Sequence, residues 1–148
     1  KNPTEVIGVL DWEMATLGDP LMDLGSALAY WVEETDHHIF KSTRRQPTNL
    51  KGMFTRKEVV KYYLDKTGLH TDNWTFYEVF GIFRLAVIAQ QIYYRYYHKQ
   101  TNNPAFKDFW IVIHALHIRA LKLIGKQKFE ANEIAQKYIS KLQEILAK

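Results

Sequence analysis

The chain of 148 residues has no cysteine, which excludes thiol nucleophiles, cysteine-ligated zinc and a disulfide scaffold. Glycine and proline are sparse, at 7 and 4 residues, so the composition is neither collagen-like nor that of a low-complexity linker. Long apolar runs are also missing. The most apolar stretch, residues 76–97, is broken by Glu78, Arg84, Gln90, Gln91 and Arg95, more polar groups than a bilayer-spanning helix tolerates. The first residues are Lys1-Asn2-Pro3-Thr4, with no initiating Met and no basic-then-apolar leader, so the start is expected to fall within a longer, cytoplasmic parent chain.

What is present is a composition of 47% hydrophobic and 24% charged residues, that of one compact domain with its own core. A chain of this length buries about 70% of its unfolded surface and needs no metal or disulfide to fold. The net charge of +4 is unevenly spread: residues 1–36 carry one basic and eight acidic residues, a net −7, and residues 37–148 carry nineteen and eight, a net +11. An acidic segment suited to cations thus precedes a surface that attracts anions.

Residues 5–10, E-V-I-G-V-L, form a short β-branched run that reads as a buried strand, and no other segment reads as its partner. A lone strand leaves its backbone groups unpaired, so the partner is expected upstream of residue 1. Asp19-Pro20 then supplies an N-cap and a proline at the first helical position, followed by Leu21, Leu24, Leu28, Trp31 and Val32 at helical spacing to about Glu34. Residues 35–54 show neither period and read as a long loop, either free to move or bordering a site. Thr55 to Glu58 has capping-box spacing, and the helix it opens ends before Gly68. Asp72 or Asn73 opens a long helix to about Tyr97 that is apolar nearly all round and is therefore expected to be central. Asn103-Pro104 opens another to about Ile124, and residues 130–147 read as a last amphipathic helix on Ile134, Tyr138, Leu142, Ile145 and Leu146.

The stretch V-I-G-V-L-D-W-E-M-A-T-L-G-D-P-L-M-D-L-G, residues 6–25, holds the most chemistry. An aspartate directly after a buried strand sits at the strand end, facing the crevice where ligands gather in mixed folds, and is a hard oxygen donor suited to Mg²⁺. That residue is Asp11; by its spacing alone it suits capping the following turn better than binding a ligand.

The run L-D-W-E-x-x-x-x-G-D-P-x-x-D-L, residues 10–24, resembles the segment that ends the catalytic region of the aminoglycoside-phosphotransferase and choline-kinase superfamily, small-molecule kinases of protein-kinase-like fold. It is most similar to the branch found fused to or beside acyl-CoA dehydrogenases. The pattern F-x-x-F-R-L-A-V-I-x-Q-x-I-Y-x-R, residues 80–95, supports that branch. The resemblance implies a mainly α fold, the C-terminal helical lobe of a protein-kinase-like phosphotransferase, with one short strand followed by about five helices. Residues 1–18 would be the strand and metal-binding loop, and residues 19–148 the helical acceptor-binding subdomain.

It further implies that Asp11 binds Mg²⁺ against the phosphates of ATP, that Trp12 packs behind it, and that Asp23 supports the backbone of the catalytic loop. By its own spacing Asp23 also suits the helix N-terminus as a plain dipole partner. Phosphoryl transfer depends chiefly on positioning and on metal ions that offset phosphate charge, which suits such a donor set.

The family's H-G-D run, with its proton acceptor, does not occur in the sequence, nor does a glycine-rich phosphate loop or a strand lysine with its glutamate partner. The chain is therefore expected not to transfer phosphate alone, and to work with the N-terminal lobe of the same protein. The positive balance after residue 36 favours an anionic acceptor over a polycationic aminoglycoside. Arg44, Arg45, Arg84, Arg95 and Lys99 are the candidates to meet it, and the resemblance implies a hydroxyacyl-CoA.

Other candidates read as structural. His114 and His117, at i and i+3, have no carboxylate on their helix face to complete a metal site. His37-His38 reads as solvated. The cluster Tyr93-Tyr94-Arg95-Tyr96-Tyr97-His98-Lys99 distributes its rings around a helix axis, which suits packing better than nucleic-acid stacking. Two alternatives to a kinase lobe remain: a non-catalytic helical interaction module derived from a kinase, and a basic nucleic-acid-binding domain.

Overall fold

The computed structural model describes residues 2, 4–11 and 15–125. Among the described residues five α-helices follow one another: α1 (Pro20–Ala29), α2 (His38–Thr43), α3 (Arg56–Thr67), α4 (Trp74–Tyr97) and α5 (Phe109–Leu123), with a 3₁₀ turn at Pro104–Phe106. The fold is mainly helical, as expected. Trp12, Glu13 and the expected helix over residues 130–147 lie outside the described residues.

The helix starts follow local chemistry. Asp19 accepts from Leu21 N at 2.8 Å and so caps α1 ahead of Pro20. Thr55 and Glu58 form the reciprocal capping box of α3, and Gly68 ends that helix in the left-handed region, φ 70°. Asn73 caps α4. Helix α1 stops at Ala29, short of the expected Glu34. Beyond it the chain turns at Tyr30 and Trp31, with their N–H groups bonded to Ala27 O and Leu28 O. The Asn103-Pro104 signal opens only the 3₁₀ turn, and α5 begins after Asp108.

Helix α4 lies between α1 and α5 and packs on both. Ile82 and Leu116 are the fully buried side chains, joined by Ala29 and packed against Phe40, Leu85, Ala86, Val112, Ala120 and Leu123. Burying each of the two contributes about 1.5–3 kcal/mol. Two glycines set the α1–α4 approach. A Cβ on Gly25 would come within 2.8 Å of the Tyr77 carbonyl carbon, and one on Gly81 within 2.9 Å of Ser26 N. Backbone thus meets backbone here, and the approach requires hydrogen at both positions.

The strand expectation fails. Residues 5–10 form no strand: no ladder is present among the described residues, and Ile7 and Leu10 are 85% and 88% exposed. The run has the side chains of a strand, but the described chain offers no second extended segment to receive its backbone groups. Helix α4 is central, as expected, though the described residues leave part of its surface open. Phe76, Phe83, Tyr94 and Tyr97 are exposed, so its apolar circumference exceeds what α1 and α5 cover.

Residues 35–54 contain the six-residue α2 and are fastened at several points. Thr48 Oγ1 accepts from Val32 N at 3.0 Å and donates to Val32 O at 2.9 Å, and Trp31 Nε1 donates to Phe54 O at 2.9 Å. Arg56 pairs bidentately with Asp36, at 2.6 and 2.9 Å, and lies 3.2 Å from Glu33. Burial alone would raise the Asp36 carboxyl, but the Arg56 guanidinium and the Glu33 N–H hold it below its ordinary value of 3.8. Arg119 extends the network from α5, reaching Glu78 at 3.6 Å and lying over the Phe40 ring at 5.6 Å.

Candidate functional site

The loop fastened in this way forms one wall of a cavity of about 490 Å³. Its floor is apolar, from Leu85, Ile88, Ala89 and Ile92 of α4 and Val112 and Leu116 of α5, with Phe40 of α2 opposite. Arg44 and Arg45, just past the end of α2, and Asp108, at the start of α5, supply its charge. Arg44 Nη1 donates to Lys41 O at 2.8 Å, which ties that side chain to the last turn of α2. Asp108 stands at the N-cap position but makes no capping hydrogen bond, so its carboxylate is not taken up by the helix end.

A second cavity of about 210 Å³ adjoins the first, and Tyr30, Leu85 and Ile88 line both. Asp23 and Arg84 bring opposite charges to it, beside Gly81. The close glycine crossing therefore lies at its wall, and the separation of α1 from α4 sets its width.

The sequence-predicted residues are thus divided. Arg44 and Arg45 share the larger cavity, and Asp23 and Arg84 the smaller one. Arg95 and Lys99 are exposed near the end of α4 and line neither. Asp11 is also apart from both, exposed in the extended N-terminal segment at φ 75°. That left-handed conformation is costly for a side chain other than glycine, asparagine or aspartate. Asp19 acts structurally. Besides capping α1, it accepts the Tyr77 hydroxyl at 2.9 Å, which joins the start of α1 to α4 and raises the Tyr77 pKa.

Whether these residues suit Mg²⁺ can be judged from the donors. Among the described residues no group of three or more His, Asp or Glu side chains is placed to hold a metal. Mg²⁺ is commonly bound through only one or two carboxylates together with phosphate oxygens and water. Asp11 is a single exposed carboxylate, the kind of donor such a site takes.

Sequence reasoning does not find Asp108, Phe40, Tyr30 or the role of Gly25 and Gly81. The glycines leave one signal, since glycine inside a helix costs about 1 kcal/mol relative to alanine and calls for a packing reason. His37 is exposed, as expected, and also has a partner. Its Nδ1 accepts from Ile39 N at 3.5 Å at the start of α2, and burial, with His38 and Lys122 nearby, lowers its pKa.

Comparison with known proteins agrees with the motif. Residues 2–58 match the phosphotransferase enzyme family, a span that includes Asp11, Asp19, Asp23, Arg44 and Arg45. The chain is 41% identical over 93 residues to acyl-CoA dehydrogenase family member 10 of Mus musculus, covering 62% of this chain and 9% of that protein. It is 36% identical over 94 residues to acyl-CoA dehydrogenase family member 11 of Rattus norvegicus, covering 62% of this chain and 12% of that protein. The Gallus gallus family member 11 is 28% identical over 142 residues, 88% of this chain and 17% of that protein. The chain thus spans a small part of the length of these curated relatives. No solved structure matches it significantly. Residues 2–58, which contain the motif at residues 10–24, are thus similar to the phosphotransferase enzyme family.

Proposed function

We propose that the chain is the acceptor-binding part of an ATP- and Mg²⁺-dependent phosphotransferase that acts on a hydroxyl group, with a hydroxyacyl-CoA as the acceptor. The observation that carries this reading is the family match over residues 2–58, which contains the whole L-D-W-E…G-D-P motif. Asp11 would supply one oxygen ligand to Mg²⁺, and the ion, when bound, would offset charge on the nucleotide's phosphates. Asp23, fixed in the first turn of α1, would hold the backbone of a catalytic loop contributed by the rest of the protein. The catalytic base would lie in that same part.

The larger cavity supports the acceptor class. Its α4 and α5 walls accept an alkyl chain, since burying apolar surface yields about 25 cal/mol per Å². Arg44 and Arg45 at the same cavity offer guanidinium forks that suit phosphate or carboxylate geometry. A polycationic sugar would meet repulsion from those two side chains. Asp108, whose carboxylate makes no cap, is placed to accept a hydrogen bond from an acceptor hydroxyl.

The test is transfer of labelled γ-phosphate by the parent protein that contains this chain, with Mg²⁺, offered hydroxyacyl-CoA and an aminoglycoside in parallel. The expected product is a phosphorylated acyl-CoA, and the 148-residue chain alone should form none. Phosphorylation of the aminoglycoside only, or turnover by the isolated chain that is lost in Asp11→Ala, would overturn the reading.

A further inference from the structure

The larger cavity is graded in polarity from its opening to its floor. The charged side chains that line it, Arg44, Arg45 and Asp108, are exposed, whereas the buried positions that line it, Ala29, Val32, Ala89 and Leu116, are all apolar. Among the described residues, charge therefore stands at the opening and not at the floor. Such a cavity suits a molecule with a charged head and an apolar tail, the tail directed inward.

The floor is open because alanine stands at two of its positions. Along α4 the cavity face is Leu85, Ile88, Ala89 and Ile92, spaced i, i+3, i+4 and i+7, and Ala89 is the one buried member of that row, 5% exposed. Ala29, at the end of α1, is buried as well. Protein interiors are ordinarily packed to the density of organic crystals, and a larger aliphatic side chain at either position would take up the open space. We propose that this floor sets the length of acyl tail that the site admits, with Ala89 and Ile92 as the length-determining side chains. The inference rests on the acceptor reading above: the head of the acceptor meets Arg44, Arg45 and Asp108, and its tail runs inward over α4. A volume of about 490 Å³ holds about sixteen methylene-sized groups at about 30 Å³ each. Each methylene taken out of water strengthens binding about fourfold, a gain that ends where the tail meets the floor.

The test is kcat/KM of the parent protein for straight-chain hydroxyacyl-CoAs of increasing tail length, with the hydroxyl at a fixed carbon. The value should rise about fourfold per added carbon and then stop rising at a definite length, no more than about sixteen carbons of tail. Ala89→Leu adds an isopropyl group to the floor and should shorten that limit by about three carbons. Ile92→Ala removes as much from the wall and should lengthen it by about three. The second variant decides the matter if the first does not fold. Phe83→Ala, on the same helix but lining neither cavity, should leave the limit in place, and all three variants should keep the ATP KM of the parent. A rise that continues past about sixteen carbons, an unmoved limit in Ile92→Ala, or an equal shift in Phe83→Ala would overturn the inference and leave the acceptor reading standing. Transfer to no hydroxyacyl-CoA of any length would overturn both.

Discussion

Gly25→Ala reverses the sign expected of a glycine inside a helix. On an isolated helix, alanine is favoured over glycine by about 1 kcal/mol. In this fold the new Cβ would lie 2.8 Å from the Tyr77 carbonyl carbon and 3.3 Å from the Tyr77 Cβ, and neither atom can rotate away. The helices must therefore separate, by about an ångström, which loosens the packing around Ile82 and widens the cleft that holds Asp23 and Arg84. Overpacking of this kind costs about 1–3 kcal/mol. We expect a net loss of about 1 kcal/mol after the propensity gain, which for a domain of this size lowers the melting temperature by about 2–4 °C. Gly81→Ala should cost a similar amount for the same reason, since its Cβ would lie 2.9 Å from Ser26 N. The double variant should lose less than the sum, because one separation relieves both clashes. Gly18→Ala, with nothing within 4 Å, is the control. Calorimetric or circular-dichroism melts decide the matter: a rise in melting temperature for Gly25→Ala would refute the close crossing.

Thr48→Val, isosteric but without the hydroxyl, removes both hydrogen bonds to Val32 in a buried setting and should cost about 2–3 kcal/mol by chemical denaturation, whereas Thr48→Ser should retain most of the stability. The pH dependence follows from Asp36. Its carboxyl is held below 3.8 in the folded state, so the stabilisation is complete above the unfolded value and is lost as pH falls through the folded one. Acid unfolding should therefore steepen below about pH 4, and Asp36→Asn should be less stable at pH 7 yet show a flatter acid limb in a pH series of melts. In the parent protein, Arg44→Ala with Arg45→Ala should raise KM for an anionic acceptor about tenfold or more while leaving the ATP KM unchanged. Equal loss for both substrates would remove the two arginines from the acceptor site.

Features encoded over a few residues are legible, and features that depend on contact between distant residues are not. Asp19-Pro20, the Thr55–Glu58 box and Gly68 each act on the backbone next to them, so their consequences can be read directly. The V-I-G-V-L run has a strand's side chains, but a strand also requires a ladder partner, and that requirement is not a local one. Helix α2 has under two turns, too few for a period to show. Gly25 and Gly81 stand 56 positions apart, and nothing near either indicates that their backbones meet. The same holds for the site. The motif points to Asp11 and Asp23, and charge to Arg44, Arg45 and Arg84, but the separation of Asp23 and Arg84 from Arg44 and Arg45 into two adjoining cavities, with Asp108 at one, follows from the α1–α4–α5 packing.

We propose that the Asp11 carboxylate holds the divalent ion of a phosphoryl-transfer site. The direct measurement is Mg²⁺-dependent phosphate transfer by the parent protein with Asp11 and with Asp11→Asn, an isosteric change that removes the charge. A fall of at least about 100-fold in kcat, with the melting temperature within a degree or two, is the predicted result. Transfer at the unaltered rate in Asp11→Asn would contradict the account.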